Sequence, residues 1–418
     1  MSKWKGITVF LVACSLIATG CGKLRETVSI DRQPNVVLIM IDTLRADHLG
    51  VYGYSRPTSP NIDRFAADAV VFDRMHAVSP WTMPSTASIF TSLPPRDHGI
   101  TEWENPLEER FLTLAEHLQS SGYKTEAIVS HVIFRPRYGF NQGFDRFEAL
   151  VLGKGKSRLI TSSREVTDRA IKAVDRGGRE PFFLWVHYFD PHNNYLRHEE
   201  FDFGKKKVDL YDGEIAYTDK HIGRLLDHLR KTGRFKDTVI AIIADHGEEF
   251  GDHGGTWHSR TLYEEVLRVP FILRAPGFSP GRVDTVLWQL DVAPTILSLL
   301  NVAPPPSFQG RVIEHAEGRF IKGADRTVFA ETYRFADKRA VFHENRKYIE
   351  DREAKKTELF DLGEDPKEQN NVVDAQPERA AALRAMLEEH HTRARAKISS
   401  NPIPGELAEE LKSLGYLQ

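Results

Sequence analysis

Val36-Val37-Leu38-Ile39-Met40-Ile41-Asp42 is the stretch that decides the fold, and Val239-Ile240-Ala241-Ile242-Ile243-Ala244-Asp245 repeats its form far downstream. Each is an unbroken apolar run, rich in β-branched side chains, that stops on an aspartate. A run this short with no polar alternation reads as a strand buried on both faces, the condition of a central strand in a parallel sheet. In open α/β sheets, polar residues just past the carboxyl ends of strands line the ligand crevice. Asp42 and Asp245-His246 therefore predict two carboxylates and an imidazole at one rim, hard oxygen and nitrogen donors suited to a metal ion.

Working outward, strand and helix patterns alternate. Strands are predicted at Val36–Ile41, Val70–Arg74, Thr125–Ser130, Phe182–Tyr188, Thr238–Ala244 and Pro270–Arg274. Between them, helices are predicted at 60–68 (with Ser59 as N-cap), 84–92, 112–121, 163–175, 212–230 and 291–300. That alternation predicts an α/β fold, a large mixed, mainly parallel sheet sandwiched by helices. Pro304-Pro305-Pro306 marks a change of pattern. Beyond it come four short strands, Val328–Thr332, Arg339–Phe342, Lys347–Glu350 and Glu358–Asp361, which read as a small antiparallel sheet backed by a helix over 377–391. A last short helix is read at 405–414. The expected organisation is a leader over 1–20, a polar tether over 21–33, a catalytic α/β domain over 34–303 and a C-terminal subdomain over 304–418.

Trp81-Thr82-Met83-Pro84-Ser85 opens one of those helices, with Thr82 as N-cap or one residue before it and Pro84 in the first turn. The free N–H groups and positive dipole end there favour an alkoxide at Thr82 or an anion beside it. A divalent cation would lower the hydroxyl pKa much further. Thr82 is thus a candidate nucleophile and metal ligand. Its plainer reading is a helix cap.

Composition excludes other classes. Of 418 residues, 41% are hydrophobic and 28% charged, as in a globular protein with ample core. The formal net charge of -3, without a Lys/Arg stripe, offers nothing to nucleic acid. Met1-Ser2-Lys3-Trp4-Lys5, the apolar run 7–18 and Thr19-Gly20-Cys21 have the shape of a secretory leader. Ala18-Thr19-Gly20-Cys21 resembles the lipobox of bacterial lipoproteins, so Cys21 is the expected lipidation site, and an uncleaved anchor is the alternative. The resulting expectation is a lipid-anchored protein of the bacterial cell envelope, outside the cytoplasm. Cys14 and Cys21 are the only cysteines, so the mature chain needs no disulfide.

Several stretches together resemble the sulfatase branch of the alkaline-phosphatase superfamily, from Pro34 to about Val373. They are Pro34–Asp47, Thr58-Ser59-Pro60-Asn61-Ile62-Asp63, Leu93-Pro94-Pro95-Arg96-Asp97-His98-Gly99, Asp245-His246-Gly247-Glu248 and Thr261-Leu262-Tyr263-Glu264-Glu265. Tyr348-Ile349 and Glu358-Leu359-Phe360-Asp361-Leu362 with Glu364-Asp365-Pro366 match that family's C-terminal strand motif. The resemblance implies an alkaline-phosphatase-like fold. It also exposes a departure. Sulfatases oxidise the Cys or Ser of Cys/Ser-x-Pro-Ser-Arg to formylglycine. Here Thr82 holds that position and Thr86 the place of the Arg, so no formylglycine is expected. The chemistry resembles instead the Thr-nucleophile members: phosphodiesterases, phosphonate hydrolases and phosphoethanolamine transferases.

On this reading one divalent metal is held by Asp42, Thr82, Asp245 and His246. Thr43 stands where the family has a second Asp, and His246 where it often has Asn or Gln. Both changes favour Zn²⁺ or Mn²⁺ over Ca²⁺ or Mg²⁺. His192 and His258 are the acid/base candidates; with Asp190 they would alternatively hold a second metal. His187, Asp190, Arg45 and His131 are candidate substrate contacts, with a loop-organising role the alternative for Arg45 and a plain loop position for His131. Asp252-His253-Gly254 reads as a turn, His76, His98 and His117 as structural or exposed, and His390-His391 as a solvated face. The expected substrate is a small-molecule, glycan or lipid-headgroup ester of sulfuric or phosphoric acid. Two alternatives are a phosphoethanolamine-type transferase and a non-catalytic module that binds anions or glycans.

Overall fold

The computed structural model of the chain describes residues 33–150, 162–192, 194–392, 400 and 402–413. The leader, Cys21, nearly all of the tether and residues 151–161 lie outside the described residues. Six main-sheet strands come first: β1 (Asn35–Ile41), β2 (Val70–His76), β3 (Lys124–Val129), β4 (Arg146–Ala149), β5 (Phe182–Tyr188) and β6 (Thr238–Ala244). A hairpin of β7 (Glu249–Phe250) and β8 (Thr256–Trp257) precedes β9 (Arg268–Arg274) and β10 (Gly281–Trp288). The main sheet runs β10-β2-β9-β6-β1-β5-β3-β4. Pairing is parallel throughout β6-β1-β5-β3-β4 and between β10 and β2, while β9 is antiparallel to β2 and β6. The α/β fold with a mixed, mainly parallel sheet is as expected.

Why β1 and β6 are central is plain from burial. Every residue of both strands is buried, so neither face has room for the polar alternation that a half-exposed strand shows. Register then fixes the rim: Ile41 pairs with Ala244 of β6 and with Tyr188 of β5, and Val129 of β3 pairs with His187. Four neighbouring parallel strands thus end at one edge, bringing Asp42, Asp245, His187 and His131 to it.

Two strands of the main sheet escaped the sequence reading. β4 is a four-residue edge strand, and β10 carries Arg282 and Asp284 on exposed positions that break its apolar run. After a second hairpin, β11 (His315–Ala316) with β12 (Arg319–Phe320), comes the antiparallel sheet β13 (Val328–Thr332), β14 (Lys338–His343), β15 (Arg346–Asp351) and β16 (Lys356–Asp361). Helix Pro377–Thr392 lays Ala380, Leu383 and Leu387 on Val341, Tyr348 and Leu359 of that sheet. His390 and His391 correct the sequence reading. His390 stacks on Phe329 with ring centroids 3.9 Å apart, and His391 Nε2 lies 2.9 Å from Oε2 of buried Glu331. They dock this helix rather than face solvent. No helix among the described residues is long and apolar enough to cross a membrane.

Candidate active site

Helix Thr82–Thr91 is buried along its whole length. Trp81 is its N-cap and Thr82 its first helical residue, one position further in than the predicted cap. The Thr82 hydroxyl lies 3.2 Å from His246 Nε2. His246 Nδ1 lies 2.9 Å from its own neighbour's carbonyl, Gly247 O. A carbonyl only accepts, so Nδ1 carries the hydrogen and the Nε2 lone pair faces the hydroxyl.

Asp42 and Asp245 close the centre. His246 Nε2 is 3.7 Å from Asp42 Oδ1 and 3.5 Å from Asp245 Oδ2. His187 Nε2 and His131 Nε2 approach Asp42 Oδ2 at 3.7 and 3.8 Å. Asp42, His187 and Asp245 each offer a donor atom within 4.8 Å of the other two. The chain bends sharply after Asp42: Thr43 has a left-handed φ of 52°, a strained backbone of the kind concentrated at functional sites. Its amide donates to Asp245 Oδ1 at 3.2 Å, and its carbonyl accepts from Tyr211 at 2.7 Å.

The electrostatics call for a cation. Asp42 and Asp245 are fully buried. Burial pushes Asp42 well above the usual carboxylate range, helped by the charges of Asp245 and Glu248, and burial raises Asp245 too. Both Asp42 oxygens, Asp245 Oδ2 and both ring nitrogens of His187 are buried without a hydrogen bond. Burial, with neighbouring imidazoles, drives His131 and His258 well below the ordinary histidine range and His187 to about 3. Uncharged imidazoles with lone pairs to give and two carboxylates wanting a counter-charge make a donor set that a divalent cation fits. Asp42, Asp245 and His187 would hold it directly, with Thr82 Oγ1 and His246 Nε2 beside them. His187, expected at the substrate, stands instead with the carboxylates.

A second group of imidazoles borders this centre. Ring centroids of His258 lie 4.6 Å from His246 and 5.0 Å from His192, and His192 lies 5.8 Å from His131. Glu248, which the sequence showed only as part of a motif, holds His258: its Oε1 is 3.2 Å from Nδ1, and Tyr195 donates to Oε2 at 2.8 Å. Burial lifts Glu248 to about 7. His258 is flanked by two left-handed residues, Trp257 at φ 83° and Ser259 at φ 76°.

Two expected substrate contacts are engaged elsewhere. Asp190 accepts from Ser162 Oγ at 2.8 Å, from the Ser162 amide, and from the Ser163 amide at 2.7 Å. It caps helix Ser163–Arg176, since orphan N–H groups of a helix start draw a carboxylate. Both of its oxygens are thus engaged at the helix start. Arg45 spends its guanidinium on Asp47, Asp252 and the Glu248 carbonyl, so it organises the loop. Trp81 packs against Trp103, centroids 5.1 Å apart, and Arg334 from the C-terminal half lies 4.3 Å over Trp103. No short-range sequence signal announces that contact.

Strand-end carboxylates, a helix-borne hydroxyl and ringed imidazoles on this sheet define an ester hydrolase of the alkaline-phosphatase-like class. A family model described as Sulfatase matches residues 34–302, and the chain belongs to the sulfatase family, whose members hydrolyse sulfuric esters. A second model, N-sulphoglucosamine sulphohydrolase C-terminal, matches 251–397. Among relatives, an arylsulfatase of Clostridium perfringens is 24% identical, with 85% of this chain and 94% of that protein covered. A solved structure in complex with its substrate D-glucosamine-2-N,6-O-disulfate aligns with a TM-score of 0.76 at 20% identity, covering 86% of this chain and 98% of that one. The phosphonate monoester hydrolase of Agrobacterium radiobacter aligns with a TM-score of 0.72 at 21% identity, covering 86% and 95%.

Proposed function

We propose that this sulfatase-family hydrolase is metal-dependent, uses Thr82 as its nucleophile, and turns over phosphodiesters or phosphonates faster than sulfate esters. The observation that carries the reading is the Thr82 hydroxyl, at a buried helix start, facing the His246 Nε2 lone pair beside two buried carboxylates, of which both Asp42 oxygens and Asp245 Oδ2 lack a hydrogen bond. Zn²⁺ or Mn²⁺ suits a set with this much nitrogen better than Ca²⁺ or Mg²⁺ does. When bound, such an ion would lower the hydroxyl pKa and offset charge on the transferred group.

Thr82 Oγ attacks phosphorus or sulfur as its proton leaves to His246 Nε2. The new O–P or O–S bond forms while the bond to the leaving oxygen breaks, that oxygen taking its proton from solvent. The His192–His258 pair, with His258 uncharged, stands as the base for the water of the next step. Water then attacks the Thr82 ester in line, releasing the acid and restoring the hydroxyl. A formylglycine diol would expel sulfate by re-forming its aldehyde; Thr82 has no such exit. Its ester must be displaced at phosphorus or sulfur, and phosphoryl transfer is the better supported task. That a phosphonate monoester hydrolase shares the fold agrees with this. We also propose that Cys21 carries a lipid and places the enzyme in the bacterial envelope; fatty-acid labelling lost in Cys21→Ser tests it.

The main test is a matched panel. For wild-type enzyme, kcat/KM on an aryl phosphodiester or phosphonate should exceed that on the corresponding aryl sulfate, and chelation should abolish both. A faster aryl sulfate, or activity that survives chelation, contradicts the proposal.

A further inference from the structure

We infer that a cation-lined cavity beside His258 is an outer subsite that binds a second anionic group on the substrate, at a distance from the ester being cleaved. The inference rests on the ester-hydrolase reading above and names the substrate class: an acidic ring compound carrying a further sulfate, phosphate or carboxylate.

The cavity has a volume of about 450 Å³, and Lys206, Lys207, Arg260, Tyr195, Phe250 and Trp257 line it. Lys206, Lys207 and Arg260 are exposed, and among the described residues none of the three has an ion pair. Glu249 is the one carboxylate in the lining. It is buried and turned to the Gly255 amide at 2.9 Å and the Thr261 hydroxyl at 3.2 Å. Three cations less one carboxylate leave the lining formally at +2, in a chain whose net charge is -3. Arg260 also lies 5.5 Å over the Phe335 ring, and Lys206, through its amide and its charge, lowers the pKa of Asp209. Like charges gathered around one concavity repel each other and concentrate anions there.

Position ties the cavity to the chemistry. Trp257 in its wall precedes His258, and their rings lie 4.9 Å apart. His258 in turn packs on His246, whose Nε2 faces the Thr82 hydroxyl. Tyr195, also in the wall, donates to the Glu248 carboxylate that holds His258. The left-handed backbone at Trp257 is unfavourable for a bulky side chain and is kept all the same. Three aromatic walls offer flat apolar surface to a ring, and the cations offer charge to its acidic substituent. A substrate with its reacting ester at Thr82 and a second acid one ring further out would meet both.

The test compares substrates that differ only in the second acid. One pair is D-glucosamine 6-sulfate and D-glucosamine 2-N,6-O-disulfate. The other is p-nitrophenyl phenylphosphonate and its 4-carboxyphenyl counterpart. In Lys206→Ala/Lys207→Ala/Arg260→Ala, the ratio of kcat/KM for the doubly over the singly acidic member should fall about tenfold or more, chiefly through KM. An unchanged ratio in both pairs overturns the inference. A fall in one pair alone identifies the acid the subsite takes. Binding of the same compounds is measured separately in the Thr82→Ala protein with and without the triple substitution. If no ester is turned over but the triple substitution still weakens binding of the doubly acidic compounds, the hydrolase reading fails and the subsite stands. If binding is indifferent to the substitutions, the subsite fails.

Discussion

Thr82 and His246 are read together because each restricts the other. The Gly247 carbonyl fixes the tautomer of His246, so Nε2 can take the hydroxyl's proton or join the carboxylates as a ligand, but not both at once. His246→Asn separates the two roles, since Asn keeps an oxygen donor and loses the base. If His246 takes the proton, kcat should fall by about 10²–10⁴-fold while metal content, held by Asp42, His187 and Asp245, stays near wild type. Loss of metal in parallel with activity would make His246 a ligand instead. At this scale much was legible. Asp42, Asp245 and His246 were visible because each directly follows a strand-like run, and Thr82 because a proline marks the helix start beside it. Asp190 was misread as a substrate contact because its partners, the Ser162 and Ser163 amides, are joined to it only by the fold. His187 belonged to the right strand, yet nothing in one sequence shows that the β1–β5 register sets it opposite Met40, beside Asp42.

The element that most controls the site is the excursion from Asp245 to Leu267, which carries His246, Glu248 and His258. Its anchor is a buried ionic group. Lys347 of β15 contacts Glu368 at 2.8 Å and Glu264 at 3.3 Å, and His253 Nδ1 sits 2.6 Å from Glu265 Oε1. Partial burial opposes protonation of His253, but the Glu265 bond and the charges of Glu265 and Glu368 outweigh it and raise the group to about 9. A raised folded pKa gives stability that is complete below the unfolded value and lost as pH climbs through the folded one. Wild-type Tm should therefore decline between about pH 6.5 and pH 9 by more than that of His253→Gln. Equal declines would remove His253 from the anchor. The sequence presented Asp252-His253-Gly254 as a turn, and a turn it is, but its partners in the C-terminal segment are too distant in the chain for any local pattern to register.

At the scale of the whole molecule, the C-terminal sheet and helix are part of the site's frame. Residues 33–418 form one compact unit, so the change of pattern after Pro306 is a change of sheet within it. Glu331 of β13 is a fastening point: its carboxylate accepts from the Arg96 amide at 2.9 Å and Tyr333 at 2.7 Å, and His391 lies 2.9 Å away. Arg96 also donates to the carbonyls of His390 and His391. Glu331→Ala strands those partners and should cost about 3–5 kcal/mol, read as a lower denaturant midpoint. A loss below about 1 kcal/mol, the scale of an exposed pair, would refute this. The alternation of strands and helices was enough to foresee the layered architecture. How the two sheets meet was not, because Glu331, Arg96 and His391 carry no periodic signal.

The central claim is that Thr82 carries the transferred group, and the most direct measurement is to trap it. Wild-type enzyme turning over an aryl phosphonate is quenched in acid, digested and mapped by mass spectrometry. The account predicts a phosphonyl group on the peptide containing Thr82, at Thr82 itself, and none in Thr82→Ala. A turning-over enzyme whose Thr82 stays unmodified while another residue carries the group would contradict it.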